Sequence, residues 1–194
     1  MAVLRASTAD GFAAVADVLV ASGITAIEVT LTSRGAVDAV AGLRRQLPPG
    51  AVVGAGTVLT ADDAKAAVDV GAQFLVSPIH DPSLGEFGVP FYPGGLTPTE
   101  IFQAARGGAP LVKLFPAATV GPRYVKDLHG PLPGVRIMPT GGIDLGDVAN
   151  WLTAGASAVG LGGPLIGDAA SGGSLTALAD RARRAADAVA FARS

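Results

Sequence analysis

The stretch "LVKLFP", residues 111–116, is apolar throughout except for one lysine, Lys113. A run that is apolar on both faces is typical of a strand in a parallel sheet, which other layers cover on both sides. Seven more short runs of this kind, rich in β-branched residues, recur along the chain: "AVLRA" (2–6), "TAIEVTL" (25–31), "AVVGAG" (51–56), "QFLVSP" (73–78), "VPFYPG" (89–94), "VRIMPT" (135–140) and "ASAVGLG" (156–162). The sequence therefore predicts eight buried parallel strands.

The segments between these runs carry helix signals. Residues 7–23 have an apolar stripe at helical spacing that ends at Gly23, and Ser7 or Thr8 is the predicted N-cap. The stripe consists of Phe12, Val15, Ala16 and Leu19. Further helices are predicted within residues 60–71, 97–108, 144–155 and 173–193.

Eight strands that alternate with helices predict an α/β fold, a single-domain (β/α)8 TIM barrel over residues 1–194. The alternative is an open doubly wound sheet, which prefers a glycine-rich dinucleotide fingerprint after its first strand. The first predicted strand leads instead into "RASTADG", residues 5–11, which lacks that fingerprint. The barrel is therefore favoured.

The composition argues against several classes of function. The net charge is −2 without a block of like charges, so neither nucleic acid nor an anionic membrane is an expected partner. The chain has no cysteine, and His80 and His129 are too isolated to predict a metal site, so no metal or other cofactor is expected. Because the sequence shows no signal-peptide pattern and no apolar run of about 18 residues, we expect a cytoplasmic protein.

Polar side chains in the strands are the candidates for chemistry, because such barrels carry their sites at the C-terminal ends of the strands. Side chains alternate along a strand, so Ile27 and Val29 face the helices while Glu28 faces the barrel interior. The same alternation turns Lys113 inward. The sequence therefore predicts a lysine and a glutamate inside one barrel.

A buried lysine and glutamate have two interpretations, a structural ion pair or a catalytic pair. Desolvation favours the neutral form of a buried amine, and a neutral amine attacks a carbonyl to form an imine. A protonated imine accepts electrons, so a neighbouring C–C bond breaks when an acid/base group such as Glu28 is within reach. The pair of Lys113 and Glu28 matches the chemistry of class I aldolases.

Two glycine-rich loops, "PTGGI" (139–143) and "GLGGPL" (160–165), follow the last two predicted strands. Barrels commonly bind phosphate at this place through backbone N–H groups, and glycine lets the backbone approach the anion closely. The loops therefore predict a phosphorylated small-molecule substrate.

With these residues in place, the sequence resembles the bacterial 2-keto-3-deoxy-6-phosphogluconate (KDPG) and 4-hydroxy-2-oxoglutarate aldolase family. Motifs in the family's order cover nearly the whole chain: "VLRA", "AIEVTL", "VGAGTVLT", "FLVSP", "PGGLTPTE", "VKLFPA", "VGPRYVKDL", "MPTGGI" and "AVGLGGPL". The resemblance implies that Lys113 is the Schiff-base lysine and Glu28 the acid/base residue. It implies further substrate contacts from Thr57, Pro78, Phe115, Thr140, Gly141, Gly142, Gly162 and Gly163. It also implies a homotrimer that uses no metal.

Two departures from the family concern substrate binding. Some members bind the substrate carboxylate with an arginine at the position of Thr32, whereas others use the arginine of "VLR". Arg5 is therefore the predicted carboxylate ligand, with Arg34 as the second candidate. A serine common in the last phosphate loop is replaced by Gly163, which leaves the phosphate to the backbone.

The resemblance implies reversible cleavage of a 2-keto-3-deoxy-6-phospho sugar acid, with KDPG as the first candidate, to pyruvate and glyceraldehyde 3-phosphate. The configuration at C4 stays open, so phosphogalactonate-type and unphosphorylated 4-hydroxy-2-oxoglutarate substrates remain alternatives. A phosphosugar isomerase or epimerase, a thiamin-phosphate-synthase-like barrel and a non-catalytic phosphometabolite-binding barrel are the competing functions. None of these requires a lysine inside the strand at residues 111–116.

Overall fold

The computed structural model describes residues 1–193, and its elements follow the predicted runs closely. The strands are β1 (Ala2–Leu4), β2 (Ala26–Thr30), β3 (Val52–Gly56), β4 (Leu75–Val76), β5 (Phe91–Tyr92), β6 (Gly94–Gly95), β7 (Val112–Leu114) and β8 (Ile137–Pro139). The helices are α1 (Phe12–Ala21), α2 (Ala36–Gln46), α3 (Ala61–Asp69), α4 (Pro98–Arg106), α5 (Pro122–His129), α6 (Val148–Thr153), α7 (Gly163–Ile166) and α8 (Leu175–Arg193). Short 3₁₀ turns lie at Pro82–Gly85, Ala117–Thr119, Leu145–Asp147 and Ala169–Ser171.

The strands pair in parallel and close into a ring. One sheet contains β1 to β5 in chain order, and a second contains β6 to β8. The two sheets meet at Pro93, whose carbonyl accepts the N–H of Lys113 at 2.8 Å. Single bridges join Thr140 to Gly160 and Leu161 to Ala2, which links β8 back to β1. The fold is the (β/α)8 TIM barrel that the alternation of strands and helices predicted.

The strands differ from the prediction in two places. The fifth run, residues 89–94, divides into β5 and β6 around Pro93, because proline has no N–H to donate to a continuous ladder. The eighth run, residues 156–162, is reduced to the bridges at Gly160 and Leu161. A Cβ on Gly160 would overlap the Thr140 side chain, so this glycine allows the last segment to close the ring.

The helix starts were predicted correctly for two helices and wrongly for α1. Thr60 and Thr97 cap α3 and α4 through reciprocal hydrogen bonds with the residue three positions later, as their sequence signals indicate. The N-cap of α1 is Gly11 rather than Ser7 or Thr8. Residues 7–9 pair with Arg34 and therefore do not begin the helix. The N-cap position needs a glycine, because a Cβ on Gly11 would come within 2.5 Å of the carbonyl oxygen of Ala170.

The apolar core lies between the outer faces of the strands and the surrounding helices. Ile27 and Val29 on β2 are fully buried there, as are Phe12 and Leu19 of α1. Burial of these side chains is the main favourable contribution to folding. No helix within residues 1–193 has the length and hydropathy needed to cross a membrane.

Candidate active site

Lys113 lies in the middle of β7 and points into the barrel, where its side chain is 4% exposed. Its Nζ lies 3.7 Å from Oε1 of Glu28 and 5.3 Å from the ring centre of Phe115. At 3.7 Å the lysine and the glutamate interact through charge, since the separation exceeds that of a hydrogen bond. The structure thus brings together the two side chains that alternation placed inside the barrel.

Glu28 lies in the middle of β2 and is fully buried. Within residues 1–193, neither of its carboxylate oxygens has a hydrogen-bond partner. Desolvation raises the pKa of Glu28 above its usual value of 4.5, and the positive charges of Lys113 and Arg5 oppose that rise. A carboxyl group whose pKa is shifted toward neutrality is suited to both accept and donate a proton.

Gly56, the last residue of β3, makes room for the Glu28 carboxyl group. A Cβ at position 56 would overlap Oε1 and Cδ of Glu28. The missing side chain therefore allows a full-length glutamate to extend across the barrel interior. Gly56 was not predicted as a site residue from the sequence, although a glycine inside a strand does indicate close approach by another group.

Arg5 follows β1, and its guanidinium reaches toward the end of β3. Its Nη2 donates a hydrogen bond to Oγ1 of Thr57 at 3.1 Å. Thr57 has a φ of 57°, a left-handed conformation that is strained for a β-branched residue. The backbone of Arg34 pairs with the loop after Arg5, and Arg34 also lines a surface depression with Asp38 and other residues of α2 and α3. Arg5, by contrast, has a hydrogen bond to the predicted site residue Thr57.

The remaining predicted side chains lie around the same end of the barrel. Pro78 and Phe115 line one cleft at the barrel mouth. Thr140 is 5% exposed and follows β8 directly. A Cβ on Gly141 would lie 3.0 Å from the Phe115 ring, so the backbone after Thr140 packs closely against that ring. Phe115 and Thr140 therefore follow the neighbouring strands β7 and β8, and Pro78 follows β4 and shares a cleft with Phe115.

The four predicted glycines form two adjacent loops. Gly141 and Gly142 have φ values of 97° and 74°, which only glycine adopts readily, and Gly162 and Gly163 begin α7. The bridge between Thr140 and Gly160 holds the two loops side by side. Within residues 1–193, the backbone N–H groups of these glycines donate to no other group. Unused N–H groups on two adjacent loops suit an anion such as phosphate.

Histidines lie outside the barrel interior. Nε2 of His129 lies 3.0 Å from the carbonyl oxygen of Val135, and His80 lies at the barrel mouth. Across residues 1–193, no group of three or more His, Asp and Glu side chains is arranged to hold a metal ion. In the same part of the chain, Glu28 and Lys113 are the charged side chains that are buried. These two are therefore the titratable side chains that the barrel interior supplies within residues 1–193.

Ser33 is a second residue that the sequence analysis missed. It is 2% exposed, and its Oγ accepts a hydrogen bond from the N–H of Ala6 at 3.2 Å. Ala6 is the neighbour of Arg5, so Ser33 contacts the backbone that carries a predicted ligand. Ser33 lies in a loop after β2, where no periodic pattern distinguishes it from an ordinary turn residue.

Comparison with known proteins agrees with this geometry. The family model for KDPG and KHG aldolase matches residues 1–174. The chain is 33% identical over 194 residues to the probable 2-dehydro-3-deoxy-6-phosphogalactonate aldolase of Rhizobium meliloti (strain 1021), covering 97% of this chain and 92% of that protein. A solved native KDPGal structure has a TM-score of 0.91 at 30% identity, covering 99% of this chain and 94% of that one.

A second solved structure is the KDPG aldolase from Legionella pneumophila with pyruvate captured at low pH as a covalent carbinolamine intermediate. It has a TM-score of 0.84 at 28% identity and covers 94% of this chain and 92% of its own. The family match extends over most of the chain, and the structural matches include nearly all of the barrel. The chain therefore belongs to the KDPG and KHG aldolase family, a family of carbon–carbon lyases.

Proposed function

We propose that the chain is a class I aldolase that reversibly cleaves a 2-keto-3-deoxy-6-phospho sugar acid to pyruvate and glyceraldehyde 3-phosphate. The observation that carries the proposal is the Lys113 amine, enclosed in the barrel 3.7 Å from Glu28. An amine and an acid/base group at this separation are the two groups that imine chemistry requires. The carbinolamine captured in the Legionella relative is the adduct that an amine forms with pyruvate before it becomes an imine.

The first half of the reaction forms the imine. The neutral amine of Lys113 attacks the C2 carbonyl of the substrate, and the C2–N bond forms as the carbonyl oxygen takes up a proton. The resulting carbinolamine loses that oxygen as water and becomes a protonated imine. Glu28 is the group within reach to move these protons, directly or through one water.

The second half breaks the C3–C4 bond. Glu28 removes the proton of the C4 hydroxyl, the C4 carbon becomes the aldehyde of glyceraldehyde 3-phosphate, and the bonding electrons pass to the imine to give an enamine. The enamine then takes a proton at C3, and water releases pyruvate and restores the Lys113 amine. Atoms and electrons balance without an oxidant or a reductant.

The two ends of the substrate suit different groups of the site. The Arg5 guanidinium offers a carboxylate two parallel hydrogen bonds, and its hydrogen bond to Thr57 holds it near the end of β3. The unused N–H groups of Gly141, Gly142, Gly162 and Gly163 suit the phosphate. The ring of Phe115 lies beside the Lys113 amine, where the pyruvyl group would be held.

We expect Arg5→Lys to weaken pyruvate binding by about tenfold to a hundredfold, the range for losing one hydrogen bond between charged groups. The lysine keeps the positive charge but loses the second donor, while the half-saturating concentration of glyceraldehyde 3-phosphate stays nearly unchanged. The measurement is the half-saturating concentration of each substrate in the condensation direction, with Arg34→Lys as the matched control. A shifted pH–rate profile with unchanged pyruvate affinity would mean that Arg5 tunes Glu28 and does not bind the carboxylate.

Gly56→Ala should reduce the cleavage rate by about 10²-fold, a typical effect of moving a catalytic group by about 1 Å. The new methyl group occupies the space of the Glu28 carboxyl and forces it to move. Gly42→Ala, in α2 where a Cβ meets nothing within 4 Å, is the control and should raise stability by about 0.5–1 kcal/mol without affecting rate. A fully active Gly56→Ala variant would show that the observed position of Glu28 does not matter for the reaction.

The choice of substrate is tested by the two C4 epimers. Relatives bear both the phosphogluconate and the phosphogalactonate names, so both configurations are candidates, with KDPG the substrate that we test first. The test compares kcat/KM for KDPG, its C4 epimer and unphosphorylated 4-hydroxy-2-oxoglutarate, with pyruvate release as the readout. An isomerase, or a barrel that only binds phosphometabolites, would release no pyruvate from any of the three.

The homotrimer implied by the family resemblance stays a prediction. Sedimentation equilibrium of the purified chain tests it, because the technique measures the mass of the assembly against the 19.1 kDa of one chain. A mass close to that of one chain would contradict the trimer and would leave the proposed chemistry unaffected.

A further inference from the structure

Two buried hydroxyl groups hold the backbone on both sides of Arg5. Oγ1 of Thr30 donates a hydrogen bond to the carbonyl oxygen of Leu4 at 3.1 Å. Oγ of Ser33 accepts one from the N–H of Ala6 at 3.2 Å. Thr30 is 0% exposed and Ser33 is 2% exposed, so water competes little for these two hydrogen bonds. The residues immediately before and after Arg5 are therefore both attached to the end of β2.

The hydroxyl groups also contact one another. Oγ1 of Thr30 lies 3.4 Å from Oγ of Ser33, and Oγ1 of Thr32 donates to Oγ1 of Thr30 at 3.3 Å. A turn in which the N–H of Ser33 donates to the carbonyl of Thr30 at 3.1 Å brings the two side chains together. Thr32 stands where some family members have arginine, so this position now contributes to the network beside Arg5.

The attachment continues into the loop after Arg5. The N–H of Arg34 donates to the carbonyl of Ser7 at 3.3 Å, and the N–H of Ala9 donates to the carbonyl of Arg34 at 2.9 Å. The loop after β1 is thus joined to the loop after β2 along several residues. Because Glu28 is also on β2, the backbone of Arg5 is held in a fixed relation to the strand that carries the acid/base residue.

Arg5 has little else to orient it. Its side chain is exposed and, within residues 1–193, its guanidinium makes one hydrogen bond, to Thr57. A long side chain loses considerable rotamer freedom when it binds a ligand, and a fixed backbone reduces the remaining freedom that must be lost. The orientation of the guanidinium therefore depends on how firmly residues 4–6 are held.

We propose that Ser33, together with Thr30, is a positioning residue that orients Arg5 toward the substrate carboxylate. The inference rests on the proposed function, in which Arg5 binds that carboxylate. The simpler alternative is that Ser33 only satisfies a buried backbone N–H and adds to stability. The two roles differ in one respect: positioning changes carboxylate affinity through Arg5, whereas a purely structural role changes stability alone.

The test measures the pyruvate concentration that half-saturates borohydride trapping in Ser33→Ala. We expect it to rise by about fivefold to tenfold, the factor that corresponds to losing one buried hydrogen bond. The half-saturating concentration of glyceraldehyde 3-phosphate should stay unchanged. Ser174→Ala is the matched control, since Oγ of Ser174 accepts a backbone N–H at 3.1 Å outside the site. It should lower stability without changing pyruvate affinity.

A double-mutant cycle with Arg5→Lys separates the two roles. If Ser33 acts through Arg5, Ser33→Ala should have little further effect on pyruvate affinity in the Arg5→Lys background. Effects that add, or an unchanged pyruvate affinity in Ser33→Ala, would overturn the inference. Thr30→Val keeps the side-chain volume and removes the other hydroxyl group. It should also weaken pyruvate binding, with little further effect in the Arg5→Lys background. This variant therefore tests the inference if Ser33→Ala does not fold. An Arg5→Lys variant with normal pyruvate affinity would instead refute the assignment of Arg5 to the carboxylate.

Discussion

Lys113→Ala should abolish cleavage of the 2-keto-3-deoxy-6-phospho sugar acid to below detection while the barrel stays folded. Alanine has no amine, so no imine forms and the C3–C4 bond has no electron acceptor. The fold is expected to survive because the core between strands and helices is untouched, and the carboxyl group of Glu28 can take up a proton when its cationic partner is removed. Pyruvate release and circular dichroism measure the two outcomes.

Lys65→Ala is the control for Lys113→Ala. The Lys65 side chain is 66% exposed and pairs with Asp69 at 2.6 Å on the surface of α3, so its removal should leave the rate unchanged. Measurable pyruvate release by folded Lys113→Ala, at a rate comparable to that of the wild type, would contradict an imine on Lys113. It would favour a mechanism that does not need this amine.

Glu28→Gln should lower the cleavage rate by roughly 10²–10⁴-fold, the usual contribution of general acid–base catalysis. The amide has nearly the same shape as the carboxyl group but cannot accept and return a proton at neutral pH. Proton exchange at the methyl group of pyruvate should slow in parallel, because the same group serves that step. Unchanged rates of both cleavage and exchange would mean that another group is the base.

Glu28→Gln should lower the rate but raise the stability of the folded chain. Burial raises the pKa of Glu28 above its usual 4.5, so the folded chain holds the carboxyl proton more tightly than the unfolded chain does. The contribution of Glu28 to the free energy of unfolding is thus fully present below pH 4.5 and is lost as the pH rises through the raised pKa. Urea titrations at a series of pH values should show that the Glu28→Gln variant becomes more stable relative to the wild type as the pH rises through the raised pKa of Glu28. A constant difference across the pH range would contradict a raised pKa.

The fold was largely predictable because its signals are local. Apolar runs and capping residues such as Thr60 and Thr97 act over a few positions, and they identified the strands and the starts of α3 and α4. The start of α1 was wrong because Gly11 is selected by the distant Ala170 carbonyl, which no local pattern shows. The reduced last strand at Gly160 likewise depends on the side chain of Thr140 on the neighbouring strand.

The positions of the candidate site residues were predictable where strand geometry alone decides. Alternation along β2 and β7 placed Glu28 and Lys113 inside the barrel, and their side chains do meet there. Gly56 and Ser33 could not be recognised in the same way. Gly56 is explained by the volume of a side chain on another strand, and Ser33 by a hydrogen bond to a loop 27 residues earlier. Such contacts become visible only when the strands are placed side by side.

Borohydride reduction in the presence of pyruvate, followed by peptide mass mapping, tests the central claim most directly. Reduction converts an imine into a stable secondary amine and so marks the lysine that formed it. The chain has three lysines, of which Lys65 and Lys126 are exposed on helices and only Lys113 is enclosed in the barrel. We predict a pyruvate adduct on Lys113 and on neither of the others. The absence of any adduct, or an adduct on Lys65 or Lys126 instead, would contradict the proposed aldolase mechanism.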